Sequence, residues 1–176
     1  RHATGRVVYY GLKDRALGAS ALEHAADARW CTGCGAELSY AAVFYGHLGH
    51  WRCARCGNER PMVDVGGAGV TSDEDGMSIS ISLADAEITV QLPLTGLYNA
   101  YNVLAAAATA SAAGVETAAI EKGLASFTAA FGRQERLAVA GRDVEVILAK
   151  NPAGLNQVLR TITAEGASSK DIVFFL

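Results

Sequence analysis

Apolar residues recur with two different periods along this chain, and the changes of period divide it. Val7-Val8-Tyr9-Tyr10, closed by Gly11, is a β-branched and aromatic run that predicts a short buried strand. From about residue 28 to 63 the periodicity is lost and Cys, Gly, His, Trp and Tyr dominate, which marks an inserted module. Residues 77–83 alternate serine with apolar side chains and 86–92 alternate again around Ile88, Val90 and Leu92, so a hairpin with one buried face turns at Ala84-Asp85. The pattern then becomes helical. An Ala-rich helix over 97–113 ends at Gly114, and a second over 117–127 carries Ala118, Ile120, Leu124 and Phe127 to pack against it.

Beyond Gly132-Arg133-Gln134-Glu135 the pattern returns to strands over 136–140 and 144–149, turning at Gly141-Arg142-Asp143. A helix over 151–163 and a terminal strand over 172–176 follow. Strand, helix and strand in that order predict an α/β unit, so residues 134–176 form a second, incomplete α/β domain after a first spanning 1–133. Both ends fall inside what read as core strands, with no initiator Met, and the chain is expected to lack its true termini.

Composition narrows the function classes. Of 176 residues 51% are apolar, enough for a core, while 19% are charged and the net charge is −3, so no global basic field favours a nucleic-acid backbone. No apolar run reaches membrane-spanning length and residues 1–5 do not begin a signal peptide, which predicts a soluble, intracellular chain.

The four cysteines fall as Cys31-Thr32-Gly33-Cys34-Gly35 and Cys53-Ala54-Arg55-Cys56-Gly57, two copies of C-x2-C-G. Two residues between thiolates let one turn aim both sulfurs at a point, and a following glycine can take the φ > 0 that the turn needs. Two such turns face to face make a closed tetrahedral all-sulfur site suited to structural Zn²⁺, so Cys31, Cys34, Cys53 and Cys56 are the expected ligands of one zinc per chain. Two disulfides or inert core cysteines are the alternative. Another gives the ribbon a nucleic-acid role through Arg52, Arg55 and Arg60, with Trp51, Tyr40 and Tyr45 as stacking surfaces. His47 and His50 are read as surface or hydrogen-bonding residues.

In Thr95-Gly96-Leu97-Tyr98-Asn99-Ala100-Tyr101-Asn102, Asn99 and Asn102 lie three apart near the start of the long helix and share a face. Paired amides offer the donor and acceptor that an adenine edge requires. Paired asparagines at a helix start also serve as caps or solvated residues, and that reading stays open. Tyr98 and Tyr101 either flank a base or pack beneath the helix. Gly66, Gly67 and Gly69 read as a loop, and Asp73-Glu74-Asp75-Gly76 as a solvated hairpin tip.

The run G-x-x-N-x-x-N-x-L-A-A resembles the adenine-binding motif of the Mur ligase family, and Gly132-Arg133-Gln134-Glu135 is similar to the G-R-x-E that closes its central domain. Lys150-Asn151-Pro152-Ala153-Gly154-Leu155-Asn156-Gln157 and the four-cysteine insertion resemble the family branch that amidates lipid II. The resemblance implies an α/β fold: part of a Mur ligase central, P-loop-type ATPase domain with an inserted four-cysteine zinc ribbon, then the start of a Rossmann-like C-terminal domain. It implies ATP with Mg²⁺ as substrate, and phosphorylation of the D-glutamate α-carboxylate of lipid II to an acyl phosphate. Displacement by ammonia from a GatD-type glutaminase partner would then give D-isoglutamine in peptidoglycan biosynthesis. It places Asn99, Asn102 and Arg133 against the nucleotide, and the enzyme in the cytoplasm, at the membrane's inner face through its lipid substrate.

The chain departs from the family pattern. It has no G-x-x-G-K-T phosphate loop and no acidic Mg²⁺-binding segment, both expected upstream of Arg1, so the catalytic residues are not among these 176 and this stretch alone is expected to be inactive. Ile147 stands where the family carries an aspartate toward the ribose. Lys150 either reaches the phosphates or substrate, or is a solvated charge. Two other functions stay open: a zinc-ribbon nucleic-acid-binding protein, and an ordinary Mur or folylpolyglutamate-type ligase that adds an amino acid.

Overall fold

The computed structural model describes residues 4–20, 28–73, 76–128, 133–164 and 171–174. In chain order the elements are β1 (Tyr10–Leu12), a 3-10 turn (Arg15–Leu17), β2 (Ser39–Tyr45), β3 (Leu48–Arg52), β4 (Val65–Asp73), β5 (Gly76–Ser82) and β6 (Glu87–Leu92). Then come α1 (Leu97–Ala112), α2 (Thr117–Ala125), β7 (Arg133–Val139), β8 (Arg142–Ile147) and α3 (Pro152–Ala164). Strands β1-β4-β5-β6 form one sheet, parallel at β1–β4 and antiparallel beyond, while β2–β3 and β7–β8 are separate two-stranded sheets.

The period-two reading of 77–92 corresponds to β5 and β6, which pair with Met77 opposite Leu92 and Ser82 opposite Glu87. Met77, Ile79, Ile81, Ile88, Val90 and Leu92 are buried, and Ser80 and Thr89 hydrogen-bond across the other face at 3.0 Å. Helix α1 covers the buried face over β1 and β4, and α2 lies on β6. Helix α1 ends as its sequence predicts. Gly114 takes φ +80°, its N–H donates to the Ser111 carbonyl and the Val115 N–H reaches back to Ala110, closing the last turn. In α2 Ile120 is buried, whereas Phe127 lies past the helix end and is 43% exposed.

Four readings are corrected. The first strand starts later than Val7, because pairing begins with Tyr10 opposite Val65; the Tyr9 N–H goes instead to the Asp64 carboxylate at 2.8 Å, and Val7, Tyr9 and Tyr10 are exposed. Gly66, Gly67 and Gly69 lie within β4 rather than in a loop. A Cβ on Gly67 would sit 2.9 Å from a Leu104 methyl and 3.0 Å from one of Ile79, so this glycine lets α1 approach the sheet. Gly69, at φ +59°, falls at the register shift between Ala68 and Thr71. In the later hairpin, Ala140 (φ 50°) and Gly141 (φ 76°) form a two-residue turn with both central residues at positive φ, so the strands run 133–139 and 142–147. Residues 171–174 form no strand, since no described strand pairs with them; 175–176 lie outside the described residues, as do Glu74 and Asp75 of the acidic tip.

Among the described residues no helix is long and apolar enough to cross a membrane. Because Gly67 sits under packed methyls, Gly67→Val is expected to cost about 1–3 kcal/mol by overpacking, read as a lowered urea midpoint at unchanged slope.

Candidate metal centre and amide pair

The inserted module is built on one motif used twice. At the first knuckle the Cys31 N–H donates to the Ala36 carbonyl at 2.7 Å and Gly35 N–H to the Cys31 carbonyl at 2.8 Å. At the second, Cys53 N–H donates to Asn58 at 2.7 Å and Gly57 N–H to Cys53 at 3.0 Å. Gly35 and Gly57 take φ +70° and +75°, and each knuckle is closed by an antiparallel bridge, Trp30 to Glu37 and Arg52 to Glu59. The β2–β3 hairpin joins the two turns and faces them toward each other.

Cys31 and Cys56 Sγ lie 3.5 Å apart, as do Cys34 and Cys53, and all four sulfurs fall within 4.8 Å of one another with none in a disulfide. A tetrahedral thiolate shell with bonds of about 2.3 Å requires sulfur separations of roughly 3.8 Å, so the cluster can hold a metal ion. The donor chemistry fits. The Asn58 amide (3.6 Å) and the Gly33 N–H (3.4 Å) hydrogen-bond the Cys31 sulfur and pull its pKa down to about 6, and the Cys56 N–H lowers that of Cys53. At Cys56 the Asn58 N–H acts in the same direction, but the three neighbouring sulfurs outweigh it and push the thiol up to about 12. Four thiolates this close need a cation to coexist. Asn58 has no part in the sequence reading, although its place directly after C-x2-C-G marks it.

The structure also brings the two asparagines together. Asn99 is 3% exposed and its Nδ2 donates to the Thr95 carbonyl at 2.8 Å, while the exposed Asn102 donates from Nδ2 to Asn99 Oδ1 at 3.4 Å. Asn99 thus anchors the first turn of α1, whose N-cap, Gly96 (φ 88°), offers no side chain, and Asn102 presents its amide outward. Tyr101 is buried beneath the helix against Phe44 of β2, with ring centroids 6.3 Å apart, and Tyr98 lies near Tyr45 at 6.5 Å. Arg133 opens β7 opposite Ile147. Lys150 is exposed just before α3, where Asn151 Oδ1 caps the helix by accepting from Gly154 N–H at 2.7 Å.

Of Arg52, Arg55 and Arg60, two are engaged within the protein, while Arg55 is exposed. Arg52 Nε lies 3.7 Å from the Glu59 carboxylate, and Arg60 is drawn inward, donating to the Leu12 carbonyl and to His50. Tyr40 donates its hydroxyl to the Ala28 carbonyl at 3.0 Å.

No protein-family model matches the sequence. Over 159 residues it is 29% identical to the lipid II isoglutaminyl synthase (glutamine-hydrolyzing) subunit MurT of Staphylococcus aureus (strain COL), covering 89% of this chain and 34% of that protein. It is 33% identical over 132 residues to the MurT of Streptococcus pneumoniae (strain ATCC BAA-255 / R6), covering 75% and 29%. The structure of a pseudomurein peptide ligase type C from Methanothermus fervidus superposes with a TM-score of 0.77 at 32% identity, covering 93% of this chain and 32% of that one. The chain therefore spans about a third of the length of the curated relatives it matches. The α/β fold is shared with a solved peptide ligase, and the chain belongs to the Mur ligase family. Within that family its sequence is similar to the MurT subunits.

Proposed function

We propose that the polypeptide carrying this chain amidates the α-carboxylate of D-glutamate in lipid II, in peptidoglycan synthesis. The similarity to MurT carries the reading: it extends over 89% of the chain. In this reaction a carboxylate oxygen attacks the γ-phosphorus of ATP and ADP departs. Ammonia then attacks the acyl carbon, phosphate leaves with the bonding pair, and a proton is lost from nitrogen. A carboxylate is a poor electrophile, and the phosphate supplies its leaving group while Mg²⁺ offsets the charge. Ammonia comes from a GatD-type glutaminase docked as a second subunit, which keeps it from water. The site of action is the cytoplasm, at the membrane face that holds the lipid substrate.

In this reading residues 1–133 belong to the ATP-binding central domain, with the module at about 28–63 inserted, and 134–176 open a Rossmann-like C-terminal domain. Zn²⁺ held by Cys31, Cys34, Cys53 and Cys56 is structural, since four sulfurs leave no open position. Asn102 meets the adenine edge and Asn99, fixed by Thr95, orients it; Arg133 and Lys150 serve the nucleotide. Asn102→Ala is expected to raise the KM for ATP roughly two- to tenfold, the worth of one hydrogen bond, with zinc content unchanged. An unchanged ATP dependence removes Asn102 from the site.

The likeness to the pseudomurein peptide ligase favours a second reading, in which the chain joins an amino acid rather than ammonia. Mass spectrometry of the product separates them. Amidation exchanges one hydroxyl for an amino group and needs the copurifying glutaminase, whereas peptide ligation adds a whole residue and needs none.

A further inference from the structure

The sequence leaves open what the metal module does for the rest of the protein, and Arg60 gives an answer. It follows the second knuckle directly, and its N–H donates to the Trp51 carbonyl at 3.0 Å, so the turn that holds Cys53 and Cys56 fixes its backbone. Its side chain leaves the module. Nη2 donates to the Leu12 carbonyl at the end of β1 at 2.9 Å, and Nη1 lies 2.9 Å from His50 Nε2. Arginine only donates, so the imidazole nitrogen accepts; burial, and then the charges of Arg60 and Arg15, hold the His50 pKa below its ordinary value and keep it neutral for that role. Tyr101 of α1 closes the arrangement. Its phenol is buried, its ring edge and the Arg60 guanidinium lie together beside Gly11, and its ring meets Phe44.

Tyr101 stands between Asn99 and Asn102 on the same two turns of helix, and Tyr98 on that stretch meets Tyr45 of the module. The module thus holds the amide-bearing start of α1 at two aromatic contacts and through one guanidinium.

We propose that Arg60 is a positioning residue for nucleotide binding, transmitting the order of the four-cysteine module to the amide pair of α1. The inference rests on the nucleotide reading of Asn99 and Asn102. It differs from a purely local brace in predicting that nucleotide affinity falls while metal stays bound.

The test measures binding of a fluorescent ATP analogue to the full polypeptide, together with metal content by mass spectrometry. Arg60→Met keeps an unbranched stem and loses the donors; the dissociation constant is expected to rise roughly tenfold, as for a hydrogen bond from a charged group, with one equivalent of metal retained. Arg60→Lys keeps the charge but not the fork and is expected to fall between. Gly11→Ala approaches from β1: its Cβ would lie 2.6 Å from Arg60 Nη2 and, at φ +159°, would strain the strand that presents the Leu12 carbonyl, so it should displace the guanidinium and weaken binding with no module residue substituted. Arg52→Met, on the exposed Arg52–Glu59 pair, should leave binding unchanged.

Unchanged affinity in Arg60→Met and Gly11→Ala, with affinity lost in Asn102→Ala, overturns the inference and leaves the nucleotide reading standing. Unchanged affinity in Asn102→Ala overturns both. Loss of metal in Arg60→Met with Gly11→Ala silent assigns Arg60 to the module's own fold and also overturns the inference.

Discussion

Cys31→Ser is expected to abolish stoichiometric metal binding and to open the two knuckles. Cys31 is 3% exposed and its sulfur receives the Asn58 and Gly33 hydrogen bonds, so it is the thiolate the fold prepares most fully. A serine hydroxyl stays protonated and hard, leaving three sulfurs that cannot close a tetrahedral shell. Structural zinc contributes about 10–16 kcal/mol of apparent binding free energy to the folding of small modules, far more than this one can draw from apolar burial. Besides Cys31 and Cys53, its buried apolar side chains are Ala42, Val43 and Phe44, all at the hairpin end away from the cysteines. Metal content should therefore fall from about one equivalent to near zero. The fluorescence of Trp51, half-buried in the module, should shift toward that of solvated indole, while Trp30 is exposed already. Cys56→Ser should do the same although Cys56 is exposed, because the loss follows from coordination rather than burial. Full metal content with unchanged proteolysis in either variant would sink the structural role.

Much of this was legible because it depends on local chemistry. The C-x2-C-G pairs, the alternation of 77–92 and the Ala-rich helix closing at Gly114 each specify geometry within a few residues. What escaped was decided by partners distant in sequence. Gly66 and Gly67 carry no local mark that separates a loop from a strand beneath a helix; that choice is made by Leu104, nearly forty residues on. Val7 to Tyr10 has the composition of a buried strand, but Asp64 intercepts the Tyr9 N–H and delays pairing. Asn99 and Asn102 are equivalent in a motif and unlike in the fold, one buried against Thr95 and one exposed. Arg60 read as a surface cation within a basic trio, and only the position of the Leu12 carbonyl turns it inward.

Phe44→Ala is expected to cost about 3–5 kcal/mol, the usual penalty for emptying a phenylalanine site in a core. The size of that loss tests how the module is joined to the sheet. Phe44 belongs to the inserted hairpin by sequence, yet it is fully buried in the same cluster as Leu12, Ile79 and Leu104. Its ring meets His50 edge-on at 5.5 Å and Tyr101 at 6.3 Å, so it fills the space between hairpin and helix that Arg60 spans nearby. Removing it leaves a cavity lined by residues of both parts, which neither can collapse to fill without moving the other. Metal content should stay at one equivalent, because the cysteines sit at the far end of the hairpin, while the urea midpoint falls. Phe44→Leu keeps most of the volume and should lose less. A cost below about 0.5 kcal/mol, the range of surface positions, would mean the module is a peripheral attachment whose order is independent of the helix, and the coupling through Arg60 would have no packed interface to act across.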